Sequence, residues 1–173
     1  MATKNYVNNK TLYEVMKKYH EDYQHAKTND IAFPKIPDYV GEAILLIANK
    51  LSNKPNFSGY SYKDEMISDG IENCLMYLHN FDPNKTNNPF AYFTQIISYA
   101  FIRRIEKEKK QQYIKHKNLS IRYLELLDED QNIVVSTSSS HEISNDFVKN
   151  YESRLTDKKK SAKVCNTVSQ FFT

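Results

Sequence analysis

Tryptophan is absent from this 173-residue chain, and cysteine occurs only twice, at Cys74 and Cys165. The two stand far apart with no CxxC spacing, so neither a disulfide framework nor a paired-cysteine metal site is expected. That usage suits a reducing compartment. No apolar run is long enough to span a bilayer, and Met1 to Lys10 lack the apolar core of a secretory signal. The five histidines (His20, His25, His79, His116 and His141) follow no metal-ligand pattern. His20 with Asp22, or His79 with Asp82, could be drawn as acid–base pairs, but such neighbours arise by chance on any surface. The expectation is a soluble, intracellular protein with no membrane partner, no cofactor and no catalytic centre.

What the chain does contain is unevenly spread charge. Its formal net charge is only +3. Between Arg103 and Lys117, however, seven basic residues face two acids, Glu106 and Glu108, and between Leu124 and Gln131 four acids stand without a base. Such a division suits a polyanion on one surface and another partner nearby, or simply two solvated faces.

Apolar spacing predicts an all-α bundle of about four helices over residues 9–117. A loose terminus, residues 1–8, precedes it. The first helix, Asn9 to Lys27, carries Leu12, Val15, Met16, Tyr19 and Tyr23, with Asn9 or Thr11 as cap. After Pro34 and Pro37, Asp38 caps a second helix with the stripe Val40, Ile44, Ile47, Ala48 and Leu51. Ser61 and Asp64 resemble a capping box opening a third, with Ile67, Ile71, Cys74, Leu75 and Leu78 inward. Asn88 followed by Pro89 starts the fourth, the proline sitting where its missing N–H costs nothing.

Residues 118–157 read as an acidic segment, a Ser-rich linker at Thr137 to Ser140 and a weak helix from Ile143 to Leu155. The stretch RYLELLDEDQNIVVST fits either a short hairpin or a helix end followed by a strand-like piece. Residues 158–173 form a C-terminal tail, and the whole extension beyond the bundle is expected to be poorly structured.

The fourth helix has two stripes. On a helical wheel Phe93, Ile97, Ala100, Phe101 and Ile105 form the face for packing. Nearly opposite lie Tyr92, Gln95, Tyr99, Ile102, Arg103 and Glu106. Aromatic rings stack on unpaired bases, amides bond to base edges, and Arg103 and Arg104 can grip phosphate or guanine. Lys107, Lys109, Lys110 and Lys115 continue the basic run along a nucleic-acid backbone. Burial of this second stripe inside a larger helical assembly would satisfy the same pattern.

Taken together, EMISDG at Glu65–Gly70, then Phe81-Asp82-Pro83, then the aromatic helix with Tyr92, Thr94, Ile97, Ala100, Arg103 and Ile105, resemble the core-binding and promoter-melting segment of sigma-70-type factors. The phrases YVNNK, NFSGY, DGIE and LHNFD, with Asn88-Pro89, Ala91-Tyr92 and Thr94-Gln95, are similar to the late-transcription sigma factors of T-even bacteriophages. The resemblance covers roughly residues 5–112.

It implies a factor that binds host RNA polymerase core and directs it to late promoters, acting in the cytoplasm of the infected bacterium. Glu65, Met66, Ser68, Asp69 and Glu72 would face the β′ clamp helices. Tyr92, Gln95, Tyr99, Ile102, Arg103, Arg104, Lys107 and Lys110 would contact a −10-like element and help melt it. The phage sliding clamp would be bound through Val168, Phe171 and Phe172, and a phage coactivator would assist.

Two departures stand out. Major sigma factors carry adjacent tryptophans where this chain has Gln95 and Ile96, and a polar pair where it has Tyr99 and Ile102. Promoter reading and melting should therefore differ in detail. The alternative is a polymerase-binding regulator of the appropriator or anti-sigma type, which would not read DNA and would not need a basic, aromatic fourth helix.

Overall fold

Asn8 turns the incoming chain into the first helix, accepting a hydrogen bond from the Lys10 amide on its side-chain oxygen (3.1 Å). The cap thus lies one residue before the expected Asn9. Asn9 is used differently: its Oδ1 accepts from the distant Phe90 N–H (3.2 Å). In the computed structural model the backbone is described over residues 6–129 and 138–169, and side chains over 6–122 and 142–157.

The first helix, α1, spans Asn9–Thr28 and buries Leu12, Met16, Tyr19 and Ala26. Helix α2, Asp38–Ser52, begins after Pro37, whose carbonyl accepts from the Val40 and Gly41 amides. Asp38 is therefore in the first turn, where a carboxylate favours the helix dipole without capping it. All five expected apolar positions of α2 are buried, together with Ala43.

Helix α3, Lys63–Tyr77, follows Tyr62 at the cap position with no side-chain capping bond, so the expected Ser61/Asp64 box does not form. Its buried row is Met66, Gly70 and Cys74. Ile67 and Ile71 are half-buried, while Leu75, expected inside, is 42% exposed. The physical reason is Gly70. A Cβ placed there would lie 3.0 Å from Phe101 Cε1 and 3.1 Å from Ile97 Cγ2, so the helix carrying those two residues approaches along the glycine row. A one-turn 3₁₀ segment, Leu78–Asn80, ends this run and seats Phe81 in the core.

Helix α4, Pro89–Glu129, starts as the sequence predicts: Asn88 Oδ1 accepts from the Ala91 amide (3.1 Å). Phe93, Ile97, Ala100, Phe101 and Ile105 are all buried. The fully buried rings of Phe81, Phe93 and Phe101 each contribute about 2–3 kcal/mol of burial free energy. Cys74 lies in the same core, its Sγ 3.9 Å from the Phe93 carbonyl, and burial pushes its thiol up to about 12.

The chain divides into two compact units, Met1–Ile105 and Glu106–Thr173. Ile105 is the last of the described α4 side chains buried in the first core, and that unit ends there, ahead of the boundary at residue 117 that charge and pattern suggested. Past residue 117 the helix continues to Glu129, which favours the helix-end reading of RYLELLDE over a hairpin. Helix α5, Ser138–Ser169, takes in Ser138–Ser140 of the expected linker and part of the expected tail.

Within the second unit α4 and α5 meet through mixed aromatic and polar contacts. Tyr113 stacks on Tyr151 (4.6 Å between centroids, 21°), and His116 lies against Phe147 (4.7 Å). Ser120 donates to Asn145 (2.9 Å), and buried Ser144 pairs with His116 (3.1 Å). Glu152 is held by the Tyr113 hydroxyl at 2.7 Å and the Lys117 ammonium at 3.2 Å. The Tyr113 bond, then the Lys117 bond, hold its carboxyl below the ordinary value of 4.5.

A depressed carboxyl contributes stability that is complete above its unfolded value and is lost as pH falls through its folded value. Protection factors of α5 amides, that is exchange corrected for its intrinsic pH dependence, are therefore expected to fall as pH drops below 4.5. Glu152→Gln should remove that acid-dependent part, read by hydrogen exchange. Equal acid dependence in both proteins would disprove the assignment.

Candidate functional site

The outward side of α3 is a stripe at helical spacing: Glu65, Ser68 and Glu72 are exposed, then Leu75 (42%) and Met76 (56%). Acids occupy its N-terminal half and apolar groups its C-terminal half. Of the five residues expected to face the polymerase, Glu65, Ser68 and Glu72 occupy this stripe. Met66 does not. It is 0% exposed, because it lies on the Gly70 row that packs into the core.

Asp69 is half-buried and committed inward, its carboxylate 3.3 Å from Arg104 Nη1. Leu75 and Met76 were missed as surface residues. The missing signal was Gly70: a wheel centred on the glycine row places both outside.

Helix α4 answers α3 with two arginines. The Arg104 side chain is 19% exposed and pairs with Asp69; Arg103 donates from Nη2 to Asn73 Oδ1 at 2.6 Å. Asn73 in turn donates to the Asp69 carbonyl at 2.6 Å. Arg104, expected to touch DNA, thus braces the two helices instead, since its guanidinium is largely enclosed beside the Asp69 carboxylate. Arg103 remains exposed and is oriented by Asn73.

The other α4 residues separate in the same way. Gln95 donates to the Tyr99 hydroxyl one turn on (3.3 Å), with both side chains exposed. Tyr99 is 57% and Ile102 43% exposed. Tyr92, expected on this open face, is tucked beside the core. Its ring sits edge-on to Phe81 (5.4 Å) and Phe93 (5.5 Å), and its hydroxyl donates to the Tyr77 carbonyl (2.8 Å). Burial, then the Cys74 thiol, raise its phenol above the usual range.

The open face borders a hollow of about 560 Å³, lined by Asn88, Phe90, Thr94, Gln95, Ser98 and Tyr99 among others. Asn88 and Phe90 also line a second hollow of about 720 Å³, bounded by Tyr6, Asn8, Asn9 and Lys10. Tyr6 meets Phe90 edge to face at 5.8 Å. Amides, three rings (Tyr6, Phe90 and Tyr99), hydroxyls and one ammonium therefore share a continuous lining. The YVNNK phrase is part of it, although the sequence pattern alone did not place those residues beside the fourth helix.

Comparison with family models and with curated proteins returns no match. The functional reading consequently rests on the motif resemblance in the sequence, weighed against the chemistry and geometry of the two faces. Among the described residues no three of His, Cys, Asp and Glu gather as a metal site, and no helix is long and apolar enough to cross a membrane. What the first unit offers is an acidic–apolar stripe on α3, and an amide- and ring-rich surface on α4. Lys107 and Lys110 belong to the second unit, where both line a groove between α4 and α5. Phe171 and Phe172, and the side chain of Val168, lie outside the described residues.

Proposed function

We propose that this protein is a sigma-type transcription factor that docks on host RNA polymerase core and presents α4 to an opened −10-like element of late promoters. The observation that carries the reading is the exposed Gln95, Tyr99 and Ile102 stripe, opposite the buried Phe93, Ile97 and Phe101. A ring and an amide held together at that surface suit unpaired bases. The polymerase partner is assigned to the α3 stripe of Glu65, Ser68, Glu72, Leu75 and Met76. Helix–helix docking there would bury the apolar end and pair the acids with basic groups of the clamp helices. The sliding clamp is assigned to the C-terminal Val168, Phe171 and Phe172, and a coactivator is part of the same proposal.

Run-off transcription with host core polymerase on AT-rich phage DNA, with and without sliding clamp, tests it. Specific transcripts should require the protein and increase with the clamp. A Tyr99→Ala/Arg103→Ala variant should lose promoter opening by about tenfold or more in permanganate footprinting. Normal opening by that variant would sink the DNA assignment and favour a polymerase-binding regulator that does not read promoters.

A further inference from the structure

The groove of the second unit gathers more positive charge than the promoter-reading face. It encloses about 590 Å³ and is lined by Lys107, Lys109, Lys110, Tyr151, Arg154 and Leu155, with Glu106 its acidic member among the described residues. Three cations come from α4 and one from α5. Leu155 is 41% exposed, and Tyr151 is half-buried with its ring braced by Tyr113, which in turn has the Lys117 ammonium 5.3 Å from its centroid. The result is an aromatic and aliphatic surface bordered by positive charge.

The geometry points to a second nucleic-acid site here, one that takes a single strand of DNA. Cations gathered at one rim repel one another and are relieved by a polyanion. A duplex offers such a groove mainly its phosphates and sugars, leaving the apolar floor without a ring to cover it. An unpaired strand offers both parts, with a base to lie over Tyr151 and Leu155 and phosphates to meet Lys107, Lys109, Lys110 and Arg154. The inference rests on the promoter reading for taking the strand to be DNA, and it extends that reading to Tyr151, Arg154 and Leu155 of α5, which otherwise have no assigned partner.

Fluorescence anisotropy of the full chain at low salt tests this, with labelled oligothymidylate, a duplex of equal length and an acidic amphipathic peptide as three probes. Oligothymidylate should bind best. Lys109→Glu/Arg154→Glu should weaken it about tenfold and lower the salt slope by roughly 0.7 for each phosphate that is no longer neutralised. Arg154→Lys should keep most of the binding, and the neutral pair Lys109→Gln/Arg154→Gln serves if the reversed pair fails to fold. Preference for the duplex, displacement of the strand by the peptide, or unchanged affinity in the variants overturns the inference. The two readings separate cleanly: run-off transcription without strand binding by the free chain overturns the groove alone. Strand binding without any run-off transcription overturns the promoter reading and leaves the groove.

Discussion

Gly70→Val is expected to destabilise the first unit by about 3 kcal/mol, whereas Gly70→Ala should fall within about 1 kcal/mol of the parent. Two opposing effects set these values. Replacing a mid-helix glycine by alanine stabilises the helix by as much as about 1 kcal/mol. Against that, the new Cβ would stand 3.0 Å from Phe101 Cε1 and 3.1 Å from Ile97 Cγ2, so both side chains must yield by tenths of an ångström. For alanine the terms nearly cancel. Valine adds two methyl groups into fully buried neighbours and gives back part of the helix gain. Phe101 cannot retreat freely, because its ring already meets Phe57 edge-on at 5.2 Å. Thermal unfolding followed at 222 nm gives the comparison, and the valine loss in a unit of this size should appear as a fall in Tm of roughly 12–24 °C. Equal melting of the two variants would mean that α3 and α4 do not meet along the glycine row.

The same glycine explains where the sequence could be read and where it misled. Helix α2 was legible because Val40, Ile44, Ile47, Ala48 and Leu51 are all strongly apolar and all buried. The inward face of α4 was legible for the same reason, and its start because Asn88 and Pro89 mark it twice. In α3 the pattern placed Ile67, Ile71, Cys74, Leu75 and Leu78 inward, since a glycine adds nothing to an apolar stripe; Cys74 and Leu78 are buried, but Leu75 is not. Backbone approach, not side-chain hydrophobicity, set the contact row through Met66, Gly70 and Cys74.

Tyr92 misled in another way. A tyrosine fits both an interface and a core edge, and only the Tyr77 carbonyl and the Phe81 ring decide for the second. The pairing of α4 with α5 left little trace at all. On the α5 side Phe147 and Tyr151 belong to the weak helical pattern of Ile143 to Leu155, but their partners His116 and Tyr113, and the Ser120–Asn145 pair, make no apolar stripe on α4. The candidate site was legible in its parts, Gln95, Tyr99, Ile102 and Arg103. The neighbours contributed by Tyr6 to Lys10 depend on the long-range bond from Phe90 to Asn9, which local spacing cannot encode.

Leu75→Asp/Met76→Asp is expected to cut binding to core polymerase by about tenfold to a hundredfold at a cost of about 1–2 kcal/mol in folding stability, since two acids in the last turn of α3 oppose the helix dipole. Leu75 is 42% and Met76 56% exposed and neither belongs to the buried row, so their replacement removes little from the core. At an interface, however, each would become an unpaired carboxylate buried against the partner. Met66→Ala makes the contrasting control. Met66 is fully enclosed, so its truncation should cost about 2–5 kcal/mol of folding stability and should affect docking only through unfolding. Asp69 is a poor probe, because charge reversal there also breaks the Arg104 pair that braces α3 against α4. Glu72→Lys is the sharper choice on the acidic half, being exposed and outside that pair. It should weaken binding most at low salt, since the lost attraction is screened as salt rises. Co-purification with core polymerase, run beside thermal melts of each variant, separates docking from folding. If Leu75→Asp/Met76→Asp binds core normally while folded Met66→Ala does not, the outer stripe is the wrong surface, and the Met66 row must open to meet the polymerase.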